Sequence, residues 1–113
     1  MMSKKKIPNL DAGYTEFKFI QDSSLQTELG ETDFDKHKIA ILPGLEDNVF
    51  KEVLWHEICH VIFEVAGIGG HPNDEKAVVS MTNEEMVTLF TRALILIFRL
   101  NPWLKEYLDA SDS

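Results

Sequence analysis

The chain has 113 residues, 19 acidic against 11 basic side chains, and a formal net charge of -8. That length holds one modest core and so one domain, and an acidic surface lacks the basic footprint that nucleic-acid binding needs. Apolar content of 44% is that of a globular chain, one cysteine (Cys59) excludes an internal disulfide, and no stretch is apolar and charge-free enough to predict a membrane span.

In chain order, residues 1–13 are polar, with Lys4, Lys5 and Lys6 ahead of Pro8, Asn9 and Gly13, and read as a flexible start. No apolar run follows the lysines, so no signal peptide is expected; with a lone cysteine, this points to a reducing, cytoplasmic setting. Tyr14 to Ile20 alternates imperfectly and predicts a strand, with Tyr14, Phe17 and Phe19 as candidates for burial. Residues 21–29 suit a short helix or a loop, and Gly30 to Lys36 is turn-rich. Lys38 to Leu42 predicts a second strand, stopped by Pro43 and Gly44. Asp47 or Asn48 can cap a helix over about 48–66, which Gly67, Gly69 and Gly70 end. A loop follows through His71 to Asp74. A second long helix, about 83–100, starts after Thr82 and stops at Asn101 and Pro102, before a helical turn from Trp103 to Leu108 that packs back. The expected organisation is a single α+β domain over 14–108, a small sheet packed on two principal helices, with residues 109–113 flexible.

The first long helix carries the chemistry. Within Leu54 to Ile62 lies His56-Glu57-Ile58-Cys59-His60, a His-Glu-x-x-His sequence in an otherwise apolar run. Residues four apart stack on one helix face, so the two imidazoles can share one metal ion, with the Glu57 carboxylate beside it as a base. From Val53 to Ala66 the only other ionisable residues are Cys59 and Glu64. A helix apolar nearly all round is expected to be buried, and burying His56, Glu57 and His60 is costly unless something pairs with them. A metal ion removes that cost. The mixed imidazole and carboxylate set favours Zn2+, although iron, manganese or cobalt suit such donors too.

A catalytic zinc takes three protein ligands and keeps one position open. A third histidine at the metzincin spacing is absent, since Phe63 and Ala66 stand there. Thr82-Asn83-Glu84-Glu85 offers two carboxylates instead. Glu84 shares a stripe with Val87, Thr91, Leu94 and Phe98, and so is expected to face the core; Glu85 lies with Thr88, Arg92 and Arg99 and can close a capping box with Thr82. Glu84 is therefore the preferred third ligand and Glu85 the alternative. His71 is a further candidate, as ligand or oxyanion donor, though an exposed loop histidine is the simpler reading. His37 is assigned no role, and Trp55 and Trp103 are read as core or edge aromatics.

The chain resembles the small gluzincin-type metallopeptidases, including short proteins encoded by phages and mobile elements, and is distantly similar to ImmA/IrrE-like peptidases. The residues behind this are Gly30 and Glu31 through Asp35, then Ile39 and Ile41, then Leu54 to Ile62, then Glu84 to Val87, then Arg99 to Leu104. The resemblance implies a minimal zincin-like domain, His56 and His60 as zinc ligands, Glu57 as general base and a helix-borne glutamate as third ligand. It also implies that the strand beside the motif helix is Ile39 to Leu42, where an extended peptide could add. The substrate would be a protein or peptide, with an intracellular regulator as one case. Two features depart from larger gluzincins: Thr88 replaces a carboxylate four residues after Glu84, and only Tyr107 and His71 are at hand as oxyanion donors. A non-catalytic zinc-binding interaction module is the competing expectation, and a chain this short could call on a partner protein or a second copy to complete a groove.

Overall fold

In the computed structural model, residues 7–68 and 82–109 are described. The architecture is α+β: strands β1 (Leu10–Asp11), β2 (Glu16–Gln21), β3 (Gly30–Asp33) and β4 (Lys38–Ile41), then helices α1 (Asp47–Ala66), α2 (Asn83–Leu100) and α3 (Pro102–Asp109). The four strands form one mixed sheet in the order β1-β2-β4-β3. Strand β2 pairs in parallel with β4, Phe19 opposite Ile39, while β1 and β3 pair antiparallel with their neighbours. Among the described residues no single helix is long and apolar enough to cross a membrane.

Two strands lie where the sequence predicts none. The stretch read as a flexible start contains β1, because Leu10 and Ala12 enter the core and Leu10 pairs with Phe17. The turn-rich stretch contains β3, which makes a hairpin with β4. Asp33 accepts main-chain hydrogen bonds from Asp35 and Lys36 (3.0 and 2.9 Å), and His37 closes the turn with a left-handed φ of 55°. The same Asp–x–Asp–Lys composition that looks like a loop therefore builds a tight connection between strands. Residues 21–29 contain no helix; β2 runs to Gln21, and Asp22 caps its own turn through Ser24. Tyr14 falls outside β2 and is 58% exposed, whereas Phe17 is fully buried and Phe19 half-buried.

The strand expected to offer a docking edge beside the motif helix does not. Strand β4 is central, flanked by β2 and β3, and Ile39, Ala40 and Ile41 are all buried. Both of its edges are taken, so the open edge next to α1 belongs to β3.

Helix α1 begins at Asp47, preceded by Glu46, whose side chain makes no capping bond; Asp47 instead pairs with Lys51 at 3.3 Å, one turn on. Its C-terminus closes on Gly67 at φ 74°, where the Gly67 and Ile68 amides donate to the Glu64 and Phe63 carbonyls, the paired bonds of a Schellman motif. Helix α2 starts as its sequence predicts, with a reciprocal capping box between Thr82 and Glu85. Pro102 takes the first position of α3, where its missing amide costs nothing.

The core gathers Leu10 and Phe17 with Ile39 and Ile41 of the sheet, Leu54, Ile58, Val61 and Ile62 of α1, Ala93 and Ile97 of α2, and Leu104 of α3. Each large aliphatic side chain removed from water contributes roughly 1.5–3 kcal/mol. One polar side chain sits among them. Asn101, 1% exposed, accepts from the Asp11 amide and donates to the Asp11 and Ile97 carbonyls, all at 2.8 Å. It ties the elbow between α2 and α3 to strand β1.

Candidate metal centre

Helix α1 is half core and half wall. Its Leu54, Ile58, Val61 and Ile62 face inward, while Glu52, His56, His60 and Glu64, spaced by four, form an exposed stripe on the other side. That stripe faces β3 across an open cleft of about 1080 Å³. The histidines are thus not buried, as the apolar composition of the helix had suggested. Apolar residues near them, such as Phe63 at 42% exposure, line the cleft rather than the core.

Only Glu57 carries the cost of burial, being 6% exposed. The Thr32 hydroxyl of β3 donates to Glu57 Oε1 at 2.7 Å. Its other oxygen, Oε2, accepts no hydrogen bond among the described residues. Gly30 explains how the strand comes so close. A Cβ there would stand 2.7 Å from Val53 Cγ1, 3.1 Å from Glu57 Cγ and 3.2 Å from Glu57 Oε2. Any side chain at position 30 would push β3 off the helix. Gly30 and Thr32 share one face of the strand, so the first makes room for the carboxylate and the second holds it.

The three motif residues converge. The His56 and His60 rings have centroids 5.0 Å apart and stand nearly perpendicular, at 78°. One donor atom from each of His56, Glu57 and His60 lies within 4.8 Å of the other two. Two imidazole nitrogens on a tetrahedral zinc, each about 2.0–2.1 Å from it, stand about 3.4 Å apart, a separation inside that 4.8 Å limit. The group can therefore hold a metal ion.

The remaining candidates are placed elsewhere. Glu84 and Glu85 are both exposed on the first turn of α2 and are not among the converging donors. The stripe that was to carry Glu84 inward meets the core only at its far end: Leu94 and Phe98 pack half-buried against it, but Val87 is 60% exposed and Thr91 exposed, and the buried positions are Ala93 and Ile97. At 3.6 residues per turn, Glu84 lies about half a turn round from Ala93. Glu85 spends its carboxylate on the Thr82 amide, at 2.9 Å. Tyr107 stacks near Trp103, under Lys51, and does not line the cleft. His71 lies outside the described residues. Cys59 is half-buried, and burial pushes its thiol pKa up, which makes it a poor thiolate donor.

The sequence resemblance draws on the stretch that holds Gly30 and Thr32, but sequence reasoning assigns neither a role beside Glu57. The available signal was a glycine followed by Glu31-Thr32-Asp33 just before a second strand, which fits a hairpin whose glycine marks close backbone approach.

Comparisons with family models, with curated proteins and with solved structures return no match for this chain.

Proposed function

We propose that this protein is a zinc-dependent peptidase of minimal zincin-like design, with its reaction centre at His56, Glu57 and His60. The observation that carries the proposal is the pairing of two exposed imidazoles with a buried carboxylate whose geometry is set by a separate strand. A structural metal site needs the imidazoles; it has no use for a carboxylate held at one oxygen and left free at the other.

His56 and His60 would hold the ion. When bound, the metal supplies positive charge that makes a water more acidic and a peptide carbonyl more electrophilic. Glu57 accepts the proton of the attacking water as the oxygen–carbon bond forms, then returns it to the amide nitrogen as the carbon–nitrogen bond breaks. Thr32 keeps the carboxylate aimed through Oε1 and leaves Oε2 for the proton. The open edge of β3 gives an extended substrate main-chain partners beside that carboxylate. Leu42 donates to the Leu29 carbonyl, so the alternation along β3 turns the main-chain groups of Gly30 and Thr32 to this edge.

The test is metal content by elemental analysis, with peptide hydrolysis measured on the same preparations. Wild type should carry one zinc per chain and cleave an unstructured protein, and His60→Ala should lose both. Wild type that takes up no zinc under saturating conditions would overturn the proposal, as would zinc-loaded protein with no hydrolysis of any substrate. Glu84→Ala decides the third ligand: loss of zinc brings the first turn of α2 into the site, and retention removes Glu84 from it.

A further inference from the structure

Carboxylates line the β3 wall of the cleft, Glu31 and Asp33 among them, and four more stand at its two ends. On α1, Glu52 precedes His56 by one turn and Glu64 follows His60 by one turn, and both are exposed into the cleft. On the opposite wall, Glu28 and Asp35 stand just before and just after β3 and line the same cleft. Gly30 faces Val53 and Glu57, and Thr32 faces Glu57, so strand and helix run in the same direction. Glu28 therefore falls at the Glu52 end and Asp35 at the Glu64 end. No lysine or arginine lines the cleft among the described residues.

We infer that this cleft selects peptides with lysine or arginine on both sides of the bond to be cut. The inference rests on the peptidase reading above and names its substrate class. Helical rise sets the spacing. Glu52 and Glu64 each lie six positions from the midpoint between the histidines, about 9 Å along the axis at 1.5 Å per residue. An extended peptide advances about 3.3 Å per residue, so 9 Å spans two to three residues. The favoured basic side chains stand two or three positions before and after the scissile bond, each between one helix carboxylate and one strand carboxylate. A peptide with acidic residues there meets like charge at both ends.

Binding and cleavage are measured separately. The Glu57→Gln protein, loaded with zinc, is titrated against three labelled ten-residue peptides that carry lysine, serine or glutamate at the flanking positions, with anisotropy as the readout. The lysine peptide should bind about five- to tenfold more tightly than the serine peptide at low ionic strength, and that margin should shrink at high salt. Glu52→Lys/Glu64→Lys, made in the same background, should move the preference to the glutamate peptide. Equal binding of the lysine and serine peptides, or a preference unchanged by the double reversal, overturns the inference. Wild type cleaving all three peptides at equal efficiency would also overturn it while leaving the peptidase reading intact. Conversely, selective binding of the lysine peptide without cleavage by the zinc-loaded wild type would sink the peptidase reading and keep the charge selectivity.

Discussion

Among the described residues two polar side chains are buried, and they are satisfied differently. Asn101 uses its amide fully, with three hydrogen bonds to Asp11 and Ile97. Glu57 takes one bond from Thr32 and keeps its second oxygen free among the described residues. The first pattern closes a gap between distant segments. The second leaves an oxygen open toward the cleft beside two exposed imidazoles, an arrangement that a reaction can use. Burial of a polar group is therefore uninformative until its partners are counted.

The sharpest way to test this contrast is Glu57→Gln, which keeps the shape and the acceptor for Thr32 but removes the carboxylate proposed as the base. Hydrolysis should fall about 10²- to 10⁴-fold with zinc content and melting temperature nearly unchanged, read by assay, elemental analysis and calorimetry. A large fall in melting temperature would mean that Glu57 belongs with Asn101 as a structural group. Asn101→Ala should do the reverse, costing about 2–4 kcal/mol of stability in denaturant unfolding by stranding the Asp11 main chain, with zinc affinity retained in the folded protein. Gly30→Ala probes both properties at once. Its Cβ has no room against Val53 and Glu57, so a loss of about 1–3 kcal/mol should accompany displacement of the carboxylate and slower hydrolysis. Unchanged stability and activity would show that β3 can retreat without consequence. Thr32→Val should cost about 1 kcal/mol and roughly tenfold in rate, with zinc content unaffected. A rate equal to wild type would remove Thr32 from any positioning role.

The smallest effect concerns pH. Burial raises the pKa of the Cys59 thiol, so the folded state keeps its proton where the unfolded chain gives it up. Stability from this source is complete below the ordinary thiol range and is lost as the pH climbs through the folded value. Alkylation of Cys59 in native protein should accordingly be slower than in urea-unfolded protein at mildly alkaline pH.

The two long helices show how far the sequence could be followed. Both were legible in extent, since Thr82 with Glu85 and Gly67 are local signals that act within one turn. Their orientation was not. On α2 the apolar residues Val87, Leu94 and Phe98 suggested one face, yet Ala93 and Ile97 are the residues that the core buries, with Leu94 and Phe98 only half-buried, and Glu84 is carried outward as a result. On α1 the near-continuous apolar run concealed that a cleft, as well as a core, was being lined. Strand β3 was hidden for a related reason: four residues rich in acidic and turn-forming side chains become a strand only because β4 is beside them. His56, Glu57 and His60 were found because their relation is local, fixed by the helical repeat. Thr32 was assigned no role because its relation to Glu57 is tertiary.

The bond between Asp11 and Asn101 joins residues 90 positions apart. The hydrogen bonds between these two residues close a loop of nearly the whole described chain, so they form only after its distant segments have been brought together. The latch therefore reports on the assembled domain: exchange of the Asp11 amide should be slow only while β1 stays docked against the elbow between α2 and α3.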